Sequence, residues 1–244
     1  DKQETDSDND SLTYGKATDY ISFEGNMRYH YKGEGNEYAT FDTYVDYVSD
    51  NKIQFRTDNG GTTSIQVIKK NSDNLSRNLF VGEAYYRENL IDKEDSTKDI
   101  ILMDPIKKGT SWTISDDRQR SITDVQVEVT SPLGTYTTIE VTTSGQEDGT
   151  VREYFAKNIG LVKRVYNQEG MTVTSTLENL EKNVPFTQTV RFYYPKNNLE
   201  DIVYEDKQIS FNTNDMTKLI LEREYKKPEK DNASPVLPAD ASIM

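Results

Sequence analysis

The chain has 244 residues, with 29 Lys and Arg against 42 Asp and Glu and a formal net charge of −13. It contains no cysteine, one histidine (His30), one tryptophan (Trp112) and 16 tyrosines. These counts exclude a disulfide framework, a thiol nucleophile, a Cys-built zinc site and any two-His metal centre within one chain, and they leave a Ser-His-Asp triad only with His30 as its base. The pI near 4.6 argues against nucleic acid as a partner, because phosphate-backbone binding needs clustered Lys and Arg. No window approaches the ~18 consecutive apolar residues that span a bilayer, and no basic-then-apolar leader is present. The chain reads as soluble, with any leader already removed.

In chain order, residues 1–19 read as a disordered acidic tether. The run Asp1 to Ser11 has five acids, one Lys and no apolar residue, and cannot bury enough surface to offset its ordering entropy. Asp6, Asp8 and Asp10 copy the first ligands of a calcium loop. Ser11 and Ala17 then stand where that loop needs its Gly and its closing Glu, so no calcium site is expected.

Residues 20–182 read as an antiparallel β domain. Met27, Tyr29 and Tyr31 alternate with Arg28, His30 and Lys32, which is the period of a strand. Phe41 to Tyr47 follows the Gly33-Glu34-Gly35-Asn36 turn, and Asp58-Asn59-Gly60-Gly61 is a strong hairpin signal between Ile53-Phe55 and Ile65-Val67. Residues 71–78 and 92–99 read as polar interruptions, the second a solvated loop between two halves of the sheet. Val125 to Val129, Tyr136 to Thr142, Val151 to Phe155, Leu161 to Tyr166 and Met171 to Leu177 are joined by short Gly-containing turns. Such connections make antiparallel neighbours, giving a meander of roughly ten strands. A sheet of that size must curl into a partial barrel or fold into a sandwich to cover its apolar face. Trp112 is expected to anchor the core, and Gly109, Gly134 and Gly160 to sit in turns at positive φ.

Residues 183–244 change pattern. Gln188 to Tyr194 and Ile202 to Phe211 read as strands. Asn212 to Asp215 offers an N-cap to a helix carrying Met216, Leu219, Ile220 and Arg223, with Pro228 as its stop. This is a small, partial α+β unit of β-β-α order, so the fold class is mainly β with an α+β addition.

The order Thr189-Val190-Arg191-Phe192-Tyr193-Tyr194-Pro195, then Val203 to Ile209, then Lys218 to Glu222 and Pro235 to Ile243, resembles the start of a GerMN domain. That is the sporulation and spore germination module of spore-forming, mostly Gram-positive bacteria. The likeness covers about 185–244, and the family's later strands and second helix are missing. More weakly, Pro105 to Trp112, Pro132 to Tyr136 and Glu153 to Val162 resemble extracytoplasmic β domains of lipoproteins in clostridia and their relatives. The resemblance implies a non-enzymatic, extracytoplasmic lipoprotein that binds envelope proteins or peptidoglycan, held to the membrane only by an N-terminal lipid on a Cys outside this sequence.

No catalytic residue, cofactor or metal is expected. His30 shares its face with Arg28 and Lys32 and reads as a solvent-facing histidine without a carboxylate orienter. Asp116-Asp117 and Glu147-Asp148 are paired acids of the kind a glycosidase needs, but both lie in turn-like sequence. Tyr29, Tyr31, Tyr44 and Tyr47 are the candidate contact surface, since aromatic rings are typical of contact faces. Two other functions stay open: a carrier of an apolar ligand in a lipocalin-like β domain, and a carbohydrate-active enzyme with two acids across a cleft.

Overall fold

A computed structural model describes residues 12–85, 88–95, 99–145, 149–195 and 202–211. Twelve strands form one antiparallel sheet. The first six are β1 (Arg28–Glu34), β2 (Phe41–Val48), β3 (Lys52–Asp58), β4 (Thr63–Lys70), β5 (Asn74–Val81) and β6 (Asp99–Met103). The second six are β7 (Ser111–Thr113), β8 (Gln119–Ser131), β9 (Gly134–Ser144), β10 (Thr150–Ala156), β11 (Gly160–Gln168) and β12 (Met171–Glu181). Each set is a meander, and the two join where β1 pairs with β12, giving the order β6-β5-β4-β3-β2-β1-β12-β11-β10-β9-β8-β7. The edge strands β6 and β7 are therefore neighbours in sequence, linked by residues 104–110.

The alternation expected in β1 is the one observed. Tyr29 and Tyr31 are buried, whereas Arg28, His30 and Lys32 face outward. The sheet curls because its register breaks repeatedly, at His30/Tyr31, Val45/Tyr47, Val67/Ile68, Leu75/Ser76 and Tyr154/Phe155, and twice between Ile122 and Val127. Each bulge adds local twist and bends its strand, which brings the two ends of the sheet together. The ends meet through side chains. Trp112 on β7, 6% exposed, donates its indole N–H to the Ile100 carbonyl on β6 at 2.9 Å. Asp99 on β6 accepts from Arg77 of β5 at 3.0 Å and from Arg120 of β8 at 3.2 Å. The result is a nearly closed barrel whose main core holds Tyr29, Tyr31, Ile53, Leu102, Trp112, Ile122, Ile139 and Leu177 inside the ring.

Two smaller clusters cover the outside. Leu90 and Ile91 lie over Ile65, Val67 and Leu79. They are held there by the fully buried Gln54, which donates to the Glu88 carbonyl at 2.7 Å and accepts from the Leu90 amide at 2.8 Å. On the other flank Val129, Ala156 and Val162 pack together.

Several expectations are corrected. Among the described residues the large sheet has twelve strands rather than roughly ten, with residues 74–81 forming β5 instead of a polar interruption. Its polar side chains Ser76 and Asn78 are buried and bond one another at 2.7 Å, while Asn71 bonds Ser76 at 2.9 Å. Residues 92–95 do lie in a loop, but Asp99 is a buried strand residue, 6% exposed. Within the stretch expected as tether, Leu12 and Thr13 are exposed but Ala17–Asp19 form a 3-10 turn with Ala17 fully buried. Residues 1–11, with the calcium-like acids, lie outside the described residues. A separate two-stranded sheet pairs β13 (Phe186–Pro195) with β14 (Ile202–Phe211). The helix expected after residue 212, and the segments 218–222 and 235–243, lie outside the described residues. Gly109, Gly134 and Gly160 have φ of +93°, +133° and +100°, as turns of this kind require.

Removing one partner from a buried ion pair leaves the other charge desolvated and uncompensated, at a cost of about 3–5 kcal/mol. Asp99→Ala orphans two guanidinium groups at the seam. It is expected to lower stability by about 3 kcal/mol or more, read as the urea midpoint, whereas an exposed control such as Glu169→Ala changes it by under ~0.5 kcal/mol. Equal midpoints for the two variants would remove Asp99 from the closure.

Candidate functional site

The barrel does not fill its own interior. A cavity of ≈ 520 Å³ lies within the ring, inside the range of ~300–1,000 Å³ usual for small-molecule sites. Its two poles differ. At one pole β1 begins, β12 ends and the turn between β10 and β11 lies, and this pole is closed by residues 14–20. The Tyr14 amide bonds the Ile106 carbonyl at 2.8 Å, the Ala17 amide bonds Asp104 Oδ1 at 2.7 Å, and the Asn158 amide bonds the Asp19 carbonyl at 2.7 Å. Tyr20, 4% exposed, donates its hydroxyl to the Tyr14 carbonyl at 2.8 Å. With Ile21, Tyr29, Phe155, Ile159 and Leu161 it forms an apolar floor.

At the other pole the hairpin turns leave an opening rimmed by aromatic rings. Tyr38 and Phe80 line the cavity and are each 51% exposed. The turn carrying Tyr38 folds back over the ring. The buried Ser175 hydroxyl bonds the Ala39 carbonyl at 2.7 Å, and the chain at residues 39–40 lies so close to Gly33 that a Cβ there would stand 2.1 Å from Ala39 backbone. Only glycine permits that approach. Tyr38 in turn rests on Gly61 of the β3–β4 turn, where a Cβ would come 2.6 Å from its ring.

Between floor and rim runs a belt of charge. Arg77, Glu153 and Arg164 line the cavity. The Arg164 guanidinium donates Nε–H to Glu153 Oε1 at 2.9 Å and brings Nη2 to the same oxygen at 2.8 Å. Burial works against the Glu153 charge. The nearby Arg164, Arg120 and Arg77 outweigh it and hold the carboxyl below the usual carboxylate range. Burial also opposes the Arg164 charge, but Glu153 more than compensates and the guanidinium is held above its ordinary value. Beside this pair Tyr31 stacks on Phe41 with ring centroids 4.5 Å apart and donates its hydroxyl to the Leu161 carbonyl at 2.8 Å. Burial pushes the Tyr31 phenol far up.

The four tyrosines proposed as a contact surface do not share a face. Tyr29 and Tyr31, each 4% exposed, belong to the cavity wall because the odd positions of β1 point inward. Tyr44 lies on the outer face, its ring 4.5 Å from the Arg56 guanidinium and 5.9 Å from that of Arg28. Tyr47, displaced by the bulge in β2, packs against the outer cluster of Ile65 and Leu90. His30 faces outward as expected, but it does have carboxylate partners: Asp42 Oδ1 at 2.8 Å and Glu178 Oε2 at 3.6 Å. They come from β2 and β12, so the neighbours along its own strand did not reveal them. Arg28 is engaged there too, with Asp42 and Glu181. Glu147-Asp148 and the Asp116 side chain lie outside the described residues. Among the described residues no group of three or more His, Asp and Glu is placed to hold a metal ion, and Glu153 is the one carboxylate lining the cavity.

No family model and no curated protein matches the chain. Two solved structures do, at low similarity. One is a candidate lipoprotein from Parabacteroides distasonis ATCC 8503, 14% identical, covering 68% of this chain and 100% of its own, with a TM-score of 0.43. The other is a candidate exported protein with a YmcC-like fold from Bacteroides fragilis NCTC 9343, 12% identical, covering 66% of this chain and 98% of its own, with a TM-score of 0.37.

Burial pushes the Tyr20 phenol up to about 12, with Asp19 adding to it. Burial likewise pushes Tyr29 up to about 12, opposed by the Ser22 hydroxyl and helped by Glu24. Unfolded phenols ionise near ~10, so the folded form holds these protons longer. The stability they contribute is complete below pH ~10 and is lost as pH rises from there to about 12. Ultraviolet titration of phenolate should show a late-ionising fraction that shrinks in Tyr29→Phe. A single transition near pH ~10, with the protein still folded, would contradict the buried floor.

Proposed function

We propose that the barrel is a non-enzymatic carrier, holding a largely apolar small molecule inside the ring and working outside the cytoplasm. The observation that carries this reading is the ≈ 520 Å³ cavity with an apolar floor, a closed pole and an aromatic rim at the open one. Ligand sites are mostly apolar concavities with a few convergent polar groups, and this cavity has both. A twelve-stranded ring is wider than the eight-stranded barrels whose side chains fill the interior or leave room for one small ligand. A glycosidase would need two carboxyls facing one another across the site, and among the described residues the cavity wall offers only Glu153. The extracytoplasmic placement rests on the acidic N-terminal run and on the resemblance described above.

A second reading, a GerMN-like module engaging envelope proteins or peptidoglycan, is favoured by β13 and β14, which pair in continuous antiparallel register. Retention of the chain on isolated peptidoglycan, reduced when residues 183–244 are removed, is what that reading expects.

The carrier reading is tested with N-phenylnaphthylamine, a neutral apolar dye whose fluorescence rises on leaving water. It should bind the whole chain saturably. Leu161→Trp, which fills the floor, should weaken binding by about tenfold or more while near-ultraviolet circular dichroism stays native. Absence of saturable binding overturns the reading.

A further inference from the structure

Resting on the carrier reading, we infer that the ligand is an amphiphile with a single anionic head, such as an alkyl carboxylate, its acid group seated on the guanidinium edges of Arg77 and Arg164. The two cavity arginines are not held as the protein's structural arginines are. Arg120 gives Nη1 to Asp99 and to the Ile100 carbonyl, gives Nε to Thr143 at 3.0 Å, and is only 11% exposed. Arg28 on the outer face uses Nε, Nη1 and Nη2 on two carboxylates. Arg164 instead aims both of its bonds at one oxygen of Glu153 and keeps 44% of its side-chain surface accessible. Since it lines the cavity and follows the inward register of Glu153 and Ser175, that surface faces the interior space. Among the described residues Arg77 pairs through Nη2 with Asp99, stands 5.3 Å from the Phe80 ring centre, and keeps 34% of its side chain accessible on the same wall.

The charge is also unbalanced. Among the described residues, three guanidinium groups (Arg77, Arg120 and Arg164) meet two carboxylates (Asp99 and Glu153), leaving one positive charge unmatched there in a chain whose net charge is −13. A surplus cation in a site screened from bulk water is costly unless an anion joins it. One carboxylate neutralises the belt, and the fork of a guanidinium suits its two oxygens. The surrounding wall supplies the apolar half of the match, with Phe41 stacked on Tyr31 and its ring 6.0 Å from the Arg164 guanidinium.

The test displaces bound N-phenylnaphthylamine from the whole chain with dodecanoate, dodecanol and dodecylamine, each below its micelle concentration. Dodecanoate should compete about tenfold or more better than dodecanol, and dodecylamine worst, as one charge-assisted contact implies. Arg164→Gln should bring acid and alcohol close to equality, each read as a ratio to the variant's own dye affinity. Glu153→Gln, which adds to the cationic surplus, should widen the gap. Arg77→Gln repeats the first comparison should Arg164→Gln fail to fold by circular dichroism. Equal displacement by acid and alcohol, or an unchanged ratio in both arginine variants, overturns the anionic head and leaves the carrier reading standing. Failure of the dye to bind the parent chain overturns both.

Discussion

The barrel depends on one carboxylate. Asp99 lies where the two meanders meet and takes Arg77 from one and Arg120 from the other. Among the described residues no backbone ladder joins β6 to β7, so side chains hold the seam, with Trp112 and its indole hydrogen bond beside the ions. A buried ion pair contributes little net stability over an apolar replacement, but it is demanding about geometry. Here that demand falls on curvature: the pairing is made only when the bulges have bent the sheet far enough. Closing the ring with charged rather than apolar side chains also decides what the interior is like. It places guanidinium groups in the wall that an all-hydrophobic seam would not have needed, and so gives the cavity its polar belt.

Much of the fold could be read from residue order. The alternation of Tyr29 and Tyr31 with Arg28, His30 and Lys32, and the Asp58-Asn59-Gly60-Gly61 hairpin, are local, and each has one physical solution. The strands that escaped notice are those whose polarity is satisfied over distance. Asn78 is buried where Glu94 and Asp95 of a later loop reach it, and Asp99 because two arginines from other strands do. Nothing within a few residues announces such partners.

The interior site was hidden for a related reason. Glu153 shares the inward face of β10 with Phe155, a pattern visible in sequence, yet a charged residue at that position reads as an exposed one. Arg164 was harder still. Alternation from Leu161 would send Lys163 inward and Arg164 outward. The bulge opposite Tyr154 and Phe155 puts both Val162 and Lys163 on the outer face and returns Arg164 to the inside. A shift of one residue in register exchanges the two faces, and only the pairing with β10 reveals it. Tyr29 and Tyr31, read from sequence as part of a contact surface, face the interior of the sheet instead.

The plug at the closed pole sets a direction for the whole particle. Residues 14–20 reach the barrel there, and the chain leaves the barrel at the same end, where the Val184 amide bonds the Asn26 carbonyl at 2.9 Å. Whatever is covalently joined to either side of the barrel is thus attached at its base, and the aromatic doorway points the opposite way. An attachment made at that base would leave the open pole unobstructed.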